Sequence, residues 1–336
     1  MVHKLYRFLM QRQVILALFL VVAGWFIFQL RGIIASIFVS YIIMAALHPF
    51  VDQLTKRGVP RILAVIIPYV ITLLVVVVIV FPLIPFTVAQ VQTLVTDLPV
   101  FADQAARSLG FAVDASAIEE AVSSEAGNIG KNAVDLTGKV FGGVFLVVTT
   151  LIVAFYLLLY QKEFKHFIAD MFHKDDHEKV FSTLTQIDDK LGAWLRGQLI
   201  LCVFIFALTW IILTILGVPF ALSLAILAGL LEIIPTLGPT LAAIPAVIVA
   251  FTISPTLGIV VAVVYIIIQV IENNVLVPKI MQKAVGLNPV IVILSVVVGA
   301  NLMGIIGALL SIPFTVLVIM ILSALKKNFD EPKTAH

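Results

Sequence analysis

Residues 231–239 read Leu-Glu-Ile-Ile-Pro-Thr-Leu-Gly-Pro and interrupt an apolar stretch that runs from residue 220 to residue 253. Proline removes a backbone donor, and the following Gly-Pro pair prevents the helix from resuming at once. The two arms hold about 14–15 residues each, fewer than the roughly 20 apolar residues that cross a bilayer. We therefore predict a re-entrant hairpin of two half-length helices, with two short complete crossings as the alternative.

The composition of the 336-residue chain excludes a soluble domain. Apolar residues make up 62% and charged residues 12%, whereas soluble domains have about 45–50% and 25%. The net charge is +2, and Cys202 is the only cysteine, so an intrachain disulfide is excluded. We predict an all-α polytopic membrane protein that lies in the lipid bilayer, has no nucleic-acid partner and is not an enzyme.

Other apolar stretches have membrane-spanning length or nearly so. They cover residues 14–30, 32–50, 62–86, 140–160, 199–216, 256–276 and 289–325. The last is too long for one crossing, and we expect it to fold back near Gly299, Asn301, Gly304 and Gly307.

The distribution of Lys and Arg predicts the orientation, because cytoplasmic loops carry an excess of both. Basic residues flank the first span, follow the second and cluster at 161–198, while 88–139 is predominantly acidic. Both termini are therefore predicted to be cytoplasmic. The predicted regions are membrane spans 1–3 within 1–87, an extracytoplasmic helical segment at 88–139, a fourth span at 140–160, a cytoplasmic amphipathic segment at 161–198, a transport core at 199–325 and a cytoplasmic tail at 326–336.

The helices of segments 88–139 and 161–198 are amphipathic. Such helices pack on the membrane surface or on each other. Docking of a protein partner is the alternative.

Residues 217–247 can be aligned with 286–316, which suggests an inverted repeat in the C-terminal half. Gly217 then matches Gly286, Glu232 matches Asn301, and Gly238 matches Gly307, with Pro235 on Gly304. The spans that precede the two units cross in opposite directions, an arrangement typical of secondary transporters. A chance match of Gly, Pro and Ile in apolar sequence is the alternative.

Glu232 is the first candidate for chemistry. A charge in hydrocarbon costs about 2.5–3.5 kcal/mol, so carboxylates inside a membrane usually have a function. Glu232 lies beside the break formed by Pro235, Gly238 and Pro239. A carboxylate, freed carbonyls and a helix end together suit a cation, a proton or a small polyhydroxylated solute. A protonated, purely structural Glu232 is the alternative.

Glu272, Asn273 and Asn274 form a second polar group near the predicted cytoplasmic end of span 256–276. We interpret them as an inner gate that contacts solute, with Gln269 one helical turn away on the same face. An interfacial helix end, with Asn caps and a snorkelling Lys279, is the alternative. Asn301 is a further candidate if the repeat is real. For Arg196 and Gln198, at the start of the fifth span, we expect an interfacial role.

No nucleotide-binding or hydrolase motif is present, so ATP-driven pumping and hydrolysis have no support. His173 and His177 are four residues apart, but the solvated charged loop around them is favoured over metal binding. We predict no catalytic residue, no metal and no cofactor.

Several motifs resemble those of the autoinducer-2 exporter family of permeases. The resemblance rests on Glu232-Ile233-Ile234-Pro235 with Gly238-Pro239, on Glu272-Asn273-Asn274 with Pro278-Lys279-Ile280, on Asn288-Pro289, Gly304–Ala308 and Ile312-Pro313, and on Arg196-Gly197-Gln198. Thr236 departs from the pattern, because an aromatic residue often follows this proline in the family.

The resemblance implies a bacterial inner-membrane permease with about eight spans. Some members are linked to export of the quorum-sensing signal autoinducer-2 and others to Na⁺(Li⁺)/H⁺ antiport with an important Pro-x-x-Gly motif. We expect a secondary or facilitative permease that exports a small polar solute. A Na⁺(Li⁺)/H⁺ antiporter using the same carboxylate and a non-transporting membrane scaffold are the alternatives. Glycine-rich stretches would suit a homo-oligomer or close contacts within one chain.

Overall fold

The computed structural model describes residues 15–75 except 16–17, 20 and 27, residue 104, and residues 133–330 except 236, 282–285 and 287. This part of the chain contains helices and no strands, as the composition predicts. The helices are α1 Arg31–Lys56, α2 Arg61–Val75, α3 Ala133–Leu159, α4 Gln161–Ala169, α5 His177–Ile215, α6 Ala221–Leu231, α7 Leu237–Ile253, α8 Pro255–Ile271, α9 Val277–Met281 and α10 Pro289–Asp330. A 3₁₀ turn at Lys174–Asp176 precedes α5, and a π-helical turn at Glu272–Leu276 joins α8 to α9.

Within the described residues, 4 helices are long and apolar enough to cross a membrane, or 5 if the bent pair α3 and α4 counts as one span. Helices α2, α6 and α7 are apolar but shorter. Most of segment 88–139, including its two predicted amphipathic helices, lies outside the described residues. The structure therefore supports a polytopic helical protein, and the expected count of spans stays a prediction.

The stretches 14–30 and 32–50, predicted as separate spans, meet at Leu30, directly before the start of α1. The Leu30 amide donates to the Phe26 carbonyl and the Ile34 amide to the Leu30 carbonyl, each at 3.0 Å, so helical hydrogen bonds lie on both sides of Leu30. The number of crossings in this part of the chain stays a prediction. The guanidinium carbon of Arg31 lies 4.0 Å from the ring centroid of Phe28, which accommodates the charge on the helix surface.

The predicted boundary between the cytoplasmic segment 161–198 and the span 199–216 falls inside a helix. Helix α5 is continuous over 39 residues, from His177 to Ile215. The predicted cytoplasmic segment and the predicted fifth span therefore share one rigid element.

The chain folds back in both stretches where a hairpin is predicted, and whether either one re-enters or crosses fully stays a prediction. Helices α6 and α7 fold against each other around residues 232–236. In α10, helical geometry is lost at Met303 and at Gly304, whose φ of 62° favours glycine.

Contacts between the two arms of α10 show that the chain reverses there. A side chain at Gly299 or Gly307 would overlap the backbone of the other residue, although eight residues of straight helix would span about 12 Å. Similarly, the hydroxyl of Thr315 donates to that of Ser295 at 2.8 Å.

Helix α5 crosses α1 where α1 is weakened by a proline. Pro49 has no amide to donate to the carbonyl of Ala45, four residues earlier. The guanidinium of Arg196 approaches that carbonyl at 3.4 Å and the carbonyl of Ala46 at 2.9 Å. Gly192 allows the close approach, since any side chain there would overlap Ala45. Arg196 therefore has a contact with α1 that the sequence did not indicate, and the interfacial position expected for it stays a prediction.

A buried polar cluster ties α4 and α1 to α5. The Asp188 carboxylate accepts from the Tyr41 hydroxyl, from Gln161 Nε2 at 2.6 Å and from Lys165 Nζ at 2.7 Å. Lys165 also donates to the Thr185 hydroxyl at 3.1 Å. Because every member has a partner, the burial of this ion pair is compensated.

Candidate functional site

The site forms at the tip of the α6–α7 hairpin, where the backbone leaves helical geometry. Helix α6 ends at Leu231, and the amide of Ile234 donates to the Leu231 carbonyl at 2.9 Å, because Pro235 has no amide to offer. The Gly238 backbone packs so closely on Leu231 that a side chain would overlap its carbonyl. This close approach of the two arms fixes the position of Glu232.

Glu232 points into the protein. It is 1% exposed, and neither carboxylate oxygen has a hydrogen-bond partner. Its main-chain carbonyl accepts a 2.6 Å hydrogen bond from Gln198 Nε2 on α5. The helix end is therefore satisfied while the carboxyl group remains available for another ligand.

Glu272 occupies the first position of the π-helical turn and is also 1% exposed. The Val277 amide donates to the Glu272 carbonyl, five residues back, and Pro278 follows at once. One oxygen of the Glu272 carboxyl, Oε2, has no hydrogen-bond partner. Wide turns of this kind inside helices are frequent at functional sites.

The two carboxyl groups approach each other closely enough to hydrogen bond once one of them carries a proton. Gln269 lies beside Glu272, and Cys202 lies beside Gln198 within electrostatic range of both acids. Gln198 Oε1 and Gln269 Nε2 are buried and make no hydrogen bond. We call Gln198, Cys202, Glu232, Gln269 and Glu272 the carboxyl-pair site.

No basic side chain among the described residues pairs with either acid. Two neighbouring carboxylates with little solvent and no counter-ion cannot both stay ionised at low cost. The pair must therefore carry at least one proton or bind a cation. This arrangement can take up and release a small positive charge.

The chain is similar to known transport proteins. The sequence model of AI-2E family transporters matches residues 14–327. The chain belongs to the AI-2E transporter family. Two relatives come from Bacillus subtilis (strain 168). "Putative transport protein YrrI" is 27% identical over 318 residues, which cover 90% of this chain and 87% of the relative. "Putative transport protein YueF" is 28% identical over 323 residues, which cover 89% and 87%.

Membership in the AI-2E family, together with the apolar helices, makes the chain a multi-pass membrane transporter. The resemblance seen in the motifs is thereby confirmed. Among the residues that the structure describes, no group of three or more His, Cys, Asp or Glu side chains could hold a metal ion.

The structure brings together only some of the predicted site residues of this AI-2E transporter. Glu232, Glu272 and Gln269 converge, and Pro235, Gly238 and Pro239 form the break beside them.

The three predicted asparagines lie elsewhere. Asn273 and Asn274 are exposed, so they do not share the buried position of Glu272. The side-chain amides of Asn274 and Asn301 donate to the carbonyls one turn back in their own helices, those of Val270 and Val297. Their roles in transport stay predictions.

Gln198 is a residue of the site that the sequence pattern did not identify. It is 1% exposed and bonded to the hairpin tip, so the interfacial role expected for it is wrong. The available signal was its position in Arg-Gly-Gln, directly before a long apolar run. A polar amide at that point of a helix has to be satisfied within the protein if the helix is buried.

Proposed function

We propose that this AI-2E family member is an ion-coupled secondary transporter in which Glu232 and Glu272 together carry the coupling ion. The observation that supports the proposal is the buried, mutually facing carboxyl pair, with which no basic side chain of the described residues forms an ion pair. Release of the shared proton leaves a site that attracts a cation, so occupancy by a proton and by Na⁺ or Li⁺ would be mutually exclusive.

The transported solute follows from the resemblance rather than from the geometry. We propose outward movement of a small polar solute, with autoinducer-2 as the first compound to examine. A solute of that size would need the hairpin to move, since the carboxyl pair is closed off in the structure. Location in the bacterial inner membrane with cytoplasmic termini belongs to the same proposal.

Na⁺(Li⁺)/H⁺ antiport without a second solute is the alternative function. The close packing around the carboxyl pair favours it, because a bare cation or proton fits where a larger molecule does not. Both versions use the same two acids.

The test is reconstitution into proteoliposomes that contain a pH-sensitive dye. Addition of Na⁺ or Li⁺ outside should change the internal pH with the wild-type protein, and an imposed pH gradient should drive autoinducer-2 flux if that compound is a substrate. Glu232→Gln and Glu272→Gln should each abolish the coupling. Glu178→Gln is the matched control, because Glu178 is an exposed glutamate at the start of α5 and outside the carboxyl-pair site.

The results separate the alternatives. A pH response to Na⁺ without solute flux would identify the antiporter. Full coupled transport by both glutamine variants would remove the carboxyl pair from the mechanism. Absence of any flux, with capture of a protein partner through segment 161–198, would favour the scaffold.

A further inference from the structure

Helix α4 turns sharply away from the membrane-spanning helix before it. The apolar part of α3, Leu146–Leu159, and α4 are bent by 78° around Tyr160. Tyr156 and Tyr160 are both more than half exposed and stack with ring centroids 6.4 Å apart. Tyrosines at the end of a spanning helix typically lie at the level of the lipid headgroups. A helix that bends by this angle there runs nearly parallel to the membrane plane.

Successive residues of a helix are about 100° apart, and this spacing divides α4 into three faces. The first packs on α5 and contains Gln161, Lys165 and Ala169, all buried. The second is polar and exposed and contains Lys162, Glu163 and His166. The third, opposite the polar face, is apolar and contains Phe164, Phe167 and Ile168. One face thus contacts protein, one suits water, and one remains apolar.

The apolar face is followed by further exposed apolar side chains. Phe167 is 62% exposed, Met171 70% and Phe172 53%, and these three residues lie together at the end of α4. Phe164 is half-buried against Tyr41, with ring centroids 6.3 Å apart. The apolar surface therefore continues outward from the protein core toward Phe167.

We propose that α4 is an interfacial helix that inserts Phe167, Met171 and Phe172 into the adjacent leaflet of the bilayer. Its exposed polar face carries charges of both signs, Lys162 and Glu163, which suits a helix that lies between lipid and water. The occupant is lipid because the apolar surface adjoins the exposed side of α3: Tyr160 lies seven residues before Phe167, on the same helix face, and stacks on the exposed Tyr156.

The inference has a structural consequence for the rest of the chain. The protein-facing side of α4 holds Lys165 and Gln161 on Asp188 of α5. A change in how deeply α4 lies in the leaflet would therefore act on α5 through buried polar contacts. The lipid around α4 would then be part of the environment that sets the position of α5.

Site-directed spin labelling of the full-length protein tests the proposal. With Cys202→Ser as the background, nitroxides are attached at Phe167→Cys and Met171→Cys and, as matched controls, at Glu163→Cys on the polar face of α4 and Gln186→Cys on the exposed side of α5. The protein is reconstituted into phosphatidylcholine vesicles. Collision with oxygen reports lipid, and collision with a water-soluble nickel chelate reports water.

The ratio of oxygen to nickel collision should be several-fold higher at positions 167 and 171 than at 163 and 186. Nickel access at 167 and 171 equal to that at 186 would overturn the proposal. Low access to both reagents would instead show a protein contact and would also overturn it.

Discussion

The side-chain amide of Gln198 donates a 2.6 Å hydrogen bond to the main-chain carbonyl of Glu232. This bond joins the long helix α5 to the tip of the α6–α7 hairpin, directly at the acid proposed to carry the ion. It satisfies a carbonyl at a helix end that would otherwise be buried without a donor.

Gln198→Ala should destabilise the protein and slow transport together. The buried carbonyl of Glu232 would lose its donor, which typically costs about 1–3 kcal/mol. Thermal unfolding in detergent and the proteoliposome flux assay measure the two effects. Gln186→Ala, at an exposed position of the same helix, should stay within about 0.5 kcal/mol of wild type. An unchanged flux in Gln198→Ala would show that the bond is not needed for transport.

Gly238→Ala should abolish transport, because the new methyl group would overlap the carbonyl oxygen of Leu231 and force the hairpin arms apart. Gly32→Ala is the matched control, since nothing lies within 4 Å of a side chain there. The control should be neutral or slightly stabilising in the helix. Flux and thermal stability should be compared in the same vesicles, and wild-type behaviour of Gly238→Ala would contradict the tight hairpin.

Ser295→Cys with Thr315→Cys should form an intrachain disulfide on mild oxidation in a Cys202→Ser background. The two hydroxyls are 2.8 Å apart, whereas twenty residues of straight helix would separate them by about 30 Å. Mass spectrometry of proteolytic fragments detects the bond. The single variant Ser295→Cys controls for links between chains. Recovery of only free thiols in the double variant would indicate a straight α10.

Asp188→Asn should destabilise the protein by about 3–5 kcal/mol, because it leaves the buried ammonium group of Lys165 without a counter-charge. Adding Lys165→Met should restore much of the loss, since the unpaired charge is then gone. Denaturation of the two single variants and the double variant gives the coupling free energy. Purely additive effects would mean that the ion pair does not act as a unit.

Local chemistry explains why both helix breaks could be predicted from the sequence. Proline and glycine act on their own backbone, so the breaks beside Pro235 and at Gly304 follow from residues at those positions. The two hairpins also resemble each other in detail, since Gly238 and Gly307 each approach the opposite arm too closely for a side chain. This similarity agrees with the alignment of 217–247 with 286–316, and the inverted orientation stays a prediction.

Features that depend on which helices pack together could not be predicted in this way. Asp188 lies in a charged segment that suggests a solvated surface, yet the docking of α1 and α4 buries it. Glu272, Asn273 and Asn274 are neighbours in the sequence, but consecutive residues cannot share one face of a helix, and only Glu272 points inward.

The uninterrupted course of α5 has a mechanical consequence. Asp188 and Gln198 are ten residues apart on one rod, or about 15 Å along its axis, so the rod cannot tilt or slide at one of them while the other stays still. Any movement of the hairpin tip during a transport cycle should therefore also displace Asp188 relative to its partners Tyr41, Gln161 and Lys165. Opening of the carboxyl-pair site would then be a movement of the whole rod and not of a single side chain.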